Sequence, residues 1–140
     1  MNIHYTKDIA NISDDMLDGG FFVDWANPPG VATHLKILTS SYCSFVAIDK
    51  KTNKVIGFIN VISDGILTAY IPLLEVLPEY QGKGVGKELV RLVLEELKDL
   101  YMIDICHDEE LAPFYAELGA YSNYSSLFRN YNAQSGRKNI

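Results

Sequence analysis

LLEVLPEYQGKGVGKELVRLVLEELKDLYMIDIC, residues 73–106, is the stretch that decides the fold of this 140-residue chain. It begins as an apolar strand, and its glycine-rich centre QGKGVG leads into a segment whose apolar residues recur at helical spacing. The short apolar strand YMIDIC follows at 101–106. Since strand-helix-strand crossovers are right-handed and join parallel strands, the sequence predicts a parallel pair connected by a glycine loop and a long amphipathic helix.

Antiparallel strands are predicted upstream of this unit. Residues 42–49 and 55–63 are rich in β-branched and aromatic residues and are separated by a polar turn, which predicts a hairpin. Asp64-Gly65 then predicts a two-residue type I′ turn into a third strand at 66–77. Three antiparallel strands therefore precede the glycine loop.

The remaining predicted elements complete an α+β fold. They are a first strand around residues 3–5, a capped helical turn from Ser13, a helix at 31–40, a helix at 109–118 and closing strands at 120–131. We expect a mixed sheet of six or seven strands with helices on both faces. One domain should cover residues 1–131, followed by a polar, frayed C-terminal tail at 132–140.

Composition narrows the class of protein. The net charge of −6, with only 12 lysines and arginines, argues against nucleic-acid binding. It suits a cationic or amine-bearing partner, although acidity also simply keeps proteins in solution.

No apolar run is long enough for a membrane span, and the N-terminus lacks a signal peptide, so we expect a cytoplasmic protein. Cys43 and Cys106 lack metal-site spacing, and no metal is expected.

The glycine loop at residues 81–86 is placed to hold phosphate. It lies between a strand and a helix, where unpaired N–H groups and the positive end of the helix dipole attract an anion. Glycines let the phosphate approach the backbone and allow positive φ. The dinucleotide fingerprint would need glycine at Lys87, and the Walker loop would need a hydroxyl at Glu88, so neither nucleotide motif is present.

The spacing that fits is Q/R-x-x-G-x-G/A, matched by Gln81, Gly84 and Gly86 directly after the strand end VLPEY at 76–80. In this motif the chain resembles the GCN5-related N-acetyltransferase (GNAT) family. The segment LAPFYAELGAY at 111–121 is similar to the family's FY-x-x-x-G-[FY] segment. The resemblance extends from Tyr42 to the C-terminus. It implies a GNAT-like fold, acetyl-CoA as cosubstrate, and transfer of the acetyl group to an amine.

The resemblance also implies how acetyl-CoA is held. Backbone groups around Leu74, Glu75 and Val76 would pair with the pantetheine arm. The loop would wrap the pyrophosphate with Gln81, Gly82, Lys83, Gly84, Val85, Gly86 and Lys87.

Two charged features bear on cofactor binding. Lys83, Lys87 and Arg91 recur every four residues and form a basic stripe along the helix, although Arg91 fits a solvated helix face equally well. Family members commonly carry asparagine seven residues before the helical tyrosine, where this chain has Asp108. A negative charge would therefore lie near the bound cofactor.

Amine acetylation needs a proton acceptor for the amine and an acid for the departing thiolate. Tyr115 is the candidate acid, because the family match places it near the cofactor sulfur and its phenol is protonated at neutral pH. The sequence does not identify the general base. Tyr70 stands where the family has a strand carboxylate, so Glu75, Asp104 and a water relay remain as candidates. Burial in an apolar strand would make either carboxylate a better base.

Pro72 predicts a bulge in its strand, because proline removes a ladder hydrogen bond. Such a bulge would let the strands before and after the glycine-loop helix splay apart.

The acceptor side is less defined. The aromatic loop Phe21, Phe22 and Trp25 is its only clue, with the alternative of a hydrophobic plug over the first helix. His34 could face the acceptor pocket, although a surface or half-buried histidine is the commoner outcome. The acceptor would be a small-molecule or peptide amine, without nucleic acid or membrane, and a homodimer is compatible with the sequence.

Two rival functions remain. One is a non-catalytic acyl-CoA-binding regulatory module, which the missing strand carboxylate favours and Tyr115 disfavours. The other is a partner-binding domain without cofactor, which would leave the glycine loop unexplained.

Overall fold

The computed structural model describes residues 1–136, which form a mixed sheet with strand order β1-β2-β3-β4-β5. The strands are β1 Ile3–Thr6, β2 Cys43–Asp49, β3 Lys54–Ser63, β4 Thr68–Val76 and β5 Met102–Ile105. Strands β1 to β4 pair antiparallel, and β5 pairs parallel to β4. The predicted order of an antiparallel meander followed by a parallel pair is confirmed.

Helices cover both faces of the sheet. They are α1 Val31–Ser40, α2 Val85–Glu96 and α3 Ala112–Glu117, with short 3-10 turns at Ile9–Asn11, Asp14–Leu17, Pro78–Tyr80, Glu109–Leu111 and Tyr131–Ala133. Within residues 1–136, no helix combines the length and apolar character that a membrane crossing requires.

Each face has its own core. Adjacent strand residues point to opposite faces, so Ile59 packs beneath α2 with Leu89 while Phe58 packs beneath α1 with Leu38. All four side chains are buried. Burying one such side chain stabilises the fold by about 1.5–3 kcal/mol, so both helices are fixed firmly to the sheet.

The prediction of six or seven strands is wrong, because the sheet has five strands over the described residues. The predicted closing strands at 120–131 are missing from it, and this segment has no regular secondary structure before the turn at Tyr131–Ala133. Aromatic residues favour strands only where a neighbouring edge is available for pairing. Within residues 1–136 this segment pairs with no sheet edge. Of the predicted tail, residues 137–140 lie outside the described residues.

The connection between β3 and β4 also differs from its prediction. A type I′ turn needs positive φ at both central residues, and here Gly65 has φ 73° while Asp64 is not among the residues with positive φ. Instead, Asp64 Oδ1 accepts hydrogen bonds from the backbone N–H groups of Ile66, Leu67 and Thr68. The carboxylate therefore organises a longer loop, and β4 begins at Thr68.

β4 and β5 separate along their length. Their pairing runs from Thr68 opposite Met102 to Ile71 opposite Ile105 and then stops, while β4 continues to Val76. Pro72 is the first residue beyond the pairing, and the β3-β4 register shifts at the same point. Proline lacks the N–H that a ladder needs. The predicted bulge at Pro72 is confirmed, and it leaves the end of β4 open along one edge.

Candidate active site

The glycine loop presents backbone N–H groups at the end of β4. Gly82 and Gly84 have φ of 76° and 85°, conformations that L side chains rarely adopt. Helix α2 begins at Val85 immediately after Gly84, and no side chain caps it. The first N–H groups of α2 are thus available to an anion at the positive end of the helix dipole.

Side chains hold the loop in place at the end of β4. Gln81 Nε2 donates to the backbone oxygen of Val76 over 2.9 Å. Tyr80 donates its hydroxyl proton to Asp49 Oδ2 over 2.6 Å, and this hydrogen bond lowers the pKa of Asp49 below its usual range. Lys83 Nζ lies 5.9 Å from the centre of the Tyr80 ring. The loop is therefore tied to both β4 and β2.

A crevice continues from the loop along the open edge of β4. A Cβ atom at Gly86 would lie 3.7 Å from Val76 Cγ2 and 4.0 Å from Phe114 Cζ, so α2, β4 and α3 meet here. Leu74 and Val76 are half-buried and pack against the core beneath α2. Their backbone groups beyond Pro72 have no β5 partner. A linear molecule with amide groups could pair with this edge.

The basic stripe divides into two parts. Arg91 forms a two-point ion pair with Glu88, with nitrogen-oxygen distances of 2.8 and 2.6 Å, which fits the solvated-face interpretation. Lys87 Nζ lies 3.6 Å from Glu117 Oε1 and is about half exposed. Lys83 and Lys87 thus flank the loop, while Arg91 is ion-paired with Glu88 on the same helix.

Tyr115 lies on α3 beside the same crevice. Its side chain is buried, and burial raises the pKa of the phenol, so it is protonated at neutral pH. Its ring stacks on His107 at 4.6 Å between centres and meets Phe114 edge-on at 4.9 Å. His107 Nδ1 donates to the backbone oxygen of Asp108 over 2.7 Å, and the Asp108 side chain is exposed.

His107 is not among the site residues predicted from the sequence. Its position directly after β5, ahead of the helix that carries Tyr115, was the available signal, because residues beyond the end of a parallel strand commonly line sites.

Glu75 faces the other side of β4, towards α1. Its carboxylate accepts hydrogen bonds from the backbone N–H groups of Phe22 at 2.8 Å and Val23 at 3.4 Å. Partial burial raises the pKa of Glu75, and these two hydrogen bonds oppose the shift. Phe22 has φ 65°, so Glu75 holds a strained backbone in place. Asp104 is exposed, so the prediction that it is buried within an apolar strand is wrong.

An aromatic cluster surrounds His34 on this face. The imidazole lies 4.3 Å from the ring centre of Phe58, 4.9 Å from Phe22 and 5.2 Å from Phe21. His34 is 2% exposed, so the alternative of a surface or half-buried histidine is wrong. Burial lowers its pKa to about 4, and Nε2 has no hydrogen-bond partner within the described residues. Phe21, Phe22 and His34 line a cavity of about 170 Å³.

Trp25 borders a second cavity of about 340 Å³. Its ring packs on Phe22 at 5.0 Å between centres and is 38% exposed. The other residues that line this cavity are Arg129, Asn130, Tyr131 and Gln134. Gln134 Oε1 accepts a hydrogen bond from the Asn27 N–H at 2.9 Å. The sequence predicts a closing strand and a tail for these residues, and no local pattern indicates the contact.

The end of β4 therefore lies between two sets of residues. Val76, Gly86 and Tyr115 share the face beneath α2, whereas Glu75, Phe22 and His34 share the face beneath α1. The structure thus brings the members of each set together, and the two sets lie on opposite faces of β4. In the described part of the chain, no group of three or more histidine, cysteine or acidic side chains is arranged to hold a metal ion.

Comparison with known proteins agrees with this arrangement. The model of the acetyltransferase (GNAT) family matches residues 13–120. A crystal structure from Deinococcus radiodurans R1, described as that of an acetyltransferase, is 40% identical with a TM-score of 0.92, and the match covers 97% of this chain and 94% of that one.

Two curated relatives match over part of their length. They are GCN5-related N-acetyltransferase 2, chloroplastic, from Arabidopsis thaliana (36% identical over 72 residues) and N-acetyltransferase ycf52 from Gracilaria tenuistipitata var. liui (28% over 100 residues). The matches cover 50% and 69% of this chain but 28% and 55% of those proteins. On the family match and the Deinococcus structure together, the chain belongs to the GNAT acetyltransferase family.

Proposed function

We propose that residues 1–131 form one N-acetyltransferase domain that moves the acetyl group of acetyl-CoA to a primary amine by direct attack in a ternary complex. The observation that carries this proposal is the open edge of β4 beyond Pro72, which leads straight to the uncapped start of α2. An extended thioester with a pyrophosphate at its far end matches both features.

The cofactor half supplies binding. The amides of the pantetheine arm would pair with backbone groups of Leu74, Glu75 and Val76, as an added strand pairs with a sheet edge. The pyrophosphate would accept hydrogen bonds from the N–H groups of the loop at 82–87, with Lys83 and Lys87 adding positive charge. The exposed Asp108 is proposed to border the cofactor rather than to hold its phosphates, because like charges repel.

Tyr115 is proposed as the acid. Its buried phenol keeps its proton at neutral pH, so it can donate that proton as the carbon-sulfur bond breaks and CoA departs as the thiol. His107 stacks on the ring and fixes its orientation.

Glu75 is proposed as the proton acceptor for the amine. Its raised pKa makes it a stronger base than an exposed carboxylate, and it lies beside the aromatic loop. Through Phe22 and Val23 it also positions that loop. Phe21, Phe22, Trp25 and His34 would form the acceptor side, where a neutral imidazole and aromatic rings suit the apolar part of a small-molecule or peptide amine.

The test is a screen of purified protein with acetyl-CoA and a panel of amines. Thiol release is followed continuously, and the acetylated product is identified by mass spectrometry. We expect thiol release that depends on the amine and gives one acetylated product per thiol. Direct attack predicts no burst of thiol when the amine is omitted. Binding of acetyl-CoA without turnover on any amine would instead favour the non-catalytic module.

A further inference from the structure

A cavity at the start of α1 contains a buried histidine nitrogen without a partner. The cavity has a volume of about 170 Å³, and Phe21, Phe22, Val31 and His34 are among the residues that line it. The His34 side chain is almost fully buried, and within residues 1–136 its Nε2 has no hydrogen-bond partner. Buried polar atoms of folded proteins are nearly always hydrogen-bonded, so Nε2 marks a position that a ligand atom can fill.

The size and lining of this cavity suit one aromatic ring. Phe21 and Phe22 meet the imidazole of His34 at ring-centre distances of 5.2 and 4.9 Å, with interplanar angles of 79° and 68°. A cavity of about 150 Å³ lined by apolar side chains is large enough to bind benzene. The cavity beside His34 therefore has room for one benzene-sized ring, and edge-to-face contacts stabilise a ring placed among others.

The polar group on such a ring has to match a neutral imidazole. Burial lowers the pKa of His34 to about 4, so at neutral pH one ring nitrogen donates a hydrogen bond and the other accepts one. A hydroxyl both donates and accepts, so it pairs with Nε2 in either tautomer. An ammonium group only donates and a carboxylate only accepts. A hydroxyl is therefore the group that fits both tautomers.

The charges around the cavity argue against an ionic group in it. Asp18 lines the cavity, but Lys54 Nζ donates to its Oδ1 at 2.9 Å. This ion pair leaves little attraction for a cation, and the carboxylate repels an anion. Water alone also fits poorly, because a buried water typically makes about three hydrogen bonds. The described side chains that line the cavity offer it only Nε2 and the paired carboxylate.

Phe22 connects this cavity to the proposed base. Its ring lines the cavity, whereas its backbone N–H donates to Glu75 Oε1 at 2.8 Å. A molecule with its ring beside His34 can therefore extend past Phe22 towards Glu75 through a short alkyl linker. An amine at the end of that linker would lie on the proposed acceptor side of β4.

We propose that the acceptor is a hydroxyarylalkylamine, a primary amine joined by a short alkyl linker to a phenol ring, and that the phenol hydroxyl binds His34 Nε2. This inference rests on the proposed function, because it names the acceptor class of the same site. The amine nitrogen attacks the thioester carbon and the carbon-sulfur bond breaks. Glu75 takes the amine proton, and Tyr115 gives its proton to the departing thiolate. His34 selects the acceptor without taking part in the proton transfers.

The first experiment compares two amines that differ only in the hydroxyl, tyramine and phenethylamine, by thiol release. In wild type, kcat/KM for tyramine should exceed that for phenethylamine about tenfold to a hundredfold, because phenethylamine leaves Nε2 unpaired. His34→Leu should lose this preference. His4→Leu, which removes an exposed histidine on β1, is the matched control and should keep it. Equal values for both amines in wild type, or a preference that persists in His34→Leu, overturns the proposal.

A binding experiment does not depend on turnover. Its probes are 4-methylphenol, toluene and 4-methylbenzoate, each added to protein whose three histidines carry nitrogen-15. We expect 4-methylphenol to shift the Nε2 resonance of His34 and to leave those of His4 and His107 unchanged. Toluene should bind more weakly than 4-methylphenol, and 4-methylbenzoate should not bind. An unchanged His34 resonance with 4-methylphenol, or tighter binding of 4-methylbenzoate, contradicts the phenol site.

Together the two experiments separate this proposal from the proposed function. Acetyl transfer to other amines but not to tyramine, with no effect of 4-methylphenol on His34, overturns the acceptor class and leaves acetyl transfer intact. Binding of 4-methylphenol at His34 without thiol release on any amine contradicts acetyl transfer, and with it the acceptor role, while the phenol site stands.

Discussion

The proposed cofactor side and the proposed acceptor side of β4 are built differently. The glycine loop is held by a short-range contact, Gln81 to Val76, and by one contact to β2, Tyr80 to Asp49, and it leads into a helix whose inner face is buried. The acceptor side depends on contacts distant in sequence, such as Glu75 to Phe22 and Gln134 to Asn27. The first side is formed mainly by one continuous unit, and the second is assembled from three separate segments.

This difference suits a transferase that keeps one cosubstrate and varies the other. A rigid, locally determined cofactor site persists when the acceptor loops change, because loops tolerate substitution better than packed elements. The two sides should therefore respond differently to mutation. Damage to the cofactor side should abolish activity on every amine, and damage to the acceptor side should change affinity for particular amines.

The largest effect is expected at Tyr115. Tyr115→Phe keeps the ring, its packing and the stacking on His107, and it removes only the proton. Loss of a general acid typically costs about 10²- to 10⁴-fold in rate. We expect kcat to fall at least about a hundredfold while acetyl-CoA affinity and Tm stay near wild type. An unchanged kcat, where chemistry limits turnover, would exclude Tyr115 from the mechanism.

Two substitutions at Glu75 distinguish a catalytic role from a positioning role. Glu75→Gln retains an oxygen for the Phe22 N–H but loses the base, so we expect kcat/KM to fall about a hundredfold with little change in Tm. Glu75→Ala frees the strained Phe22 backbone as well and should also raise the acceptor KM. If the Gln variant keeps wild-type kcat and only the Ala variant fails, Glu75 is solely a positioning residue.

Buried His34 should make the free energy of unfolding depend on pH in the acid range. Burial lowers its pKa to about 4 in the fold from an ordinary value of 6.5, so the unfolded chain binds the proton first. The free energy of unfolding should therefore fall as pH drops from 6.5 towards 4, by up to about 3 kcal/mol, and His34 should contribute no pH dependence above that range. Denaturant titrations should show a weaker dependence in His34→Leu. Equal pH dependence in both proteins would contradict the buried neutral imidazole.

The smallest effect is expected at Trp25. Since this ring is partly exposed, Trp25→Ala should raise the acceptor KM by about tenfold and leave acetyl-CoA affinity unchanged, as two-substrate kinetics would show. A collapsed melting transition instead would mean that the ring supports the core rather than the acceptor.

The same contrast explains what the sequence could predict. The α1 bounds, the parallel pair and the glycine loop follow from local patterns, namely apolar periodicity and residues with special φ. The buried position of His34 was not visible, because helical periodicity does not show that Phe21 and Phe22 fold back over it. The prediction of closing strands at 120–131 failed for a similar reason. Aromatic content indicates a strand, but pairing depends on a free sheet edge that lies elsewhere in the fold.

The most direct test of the account is a calorimetric titration of acetyl-CoA into Gly84→Asp, compared with Gly119→Asp. Both glycines have positive φ, 85° at Gly84 and 100° at Gly119, and both have space for a Cβ atom, so each variant places an aspartate in a left-handed conformation and adds the same charge. Only Gly84 lies at the proposed pyrophosphate site. We predict that Gly119→Asp binds acetyl-CoA like wild type and that folded Gly84→Asp shows no measurable binding. Wild-type affinity in folded Gly84→Asp would contradict the central claim.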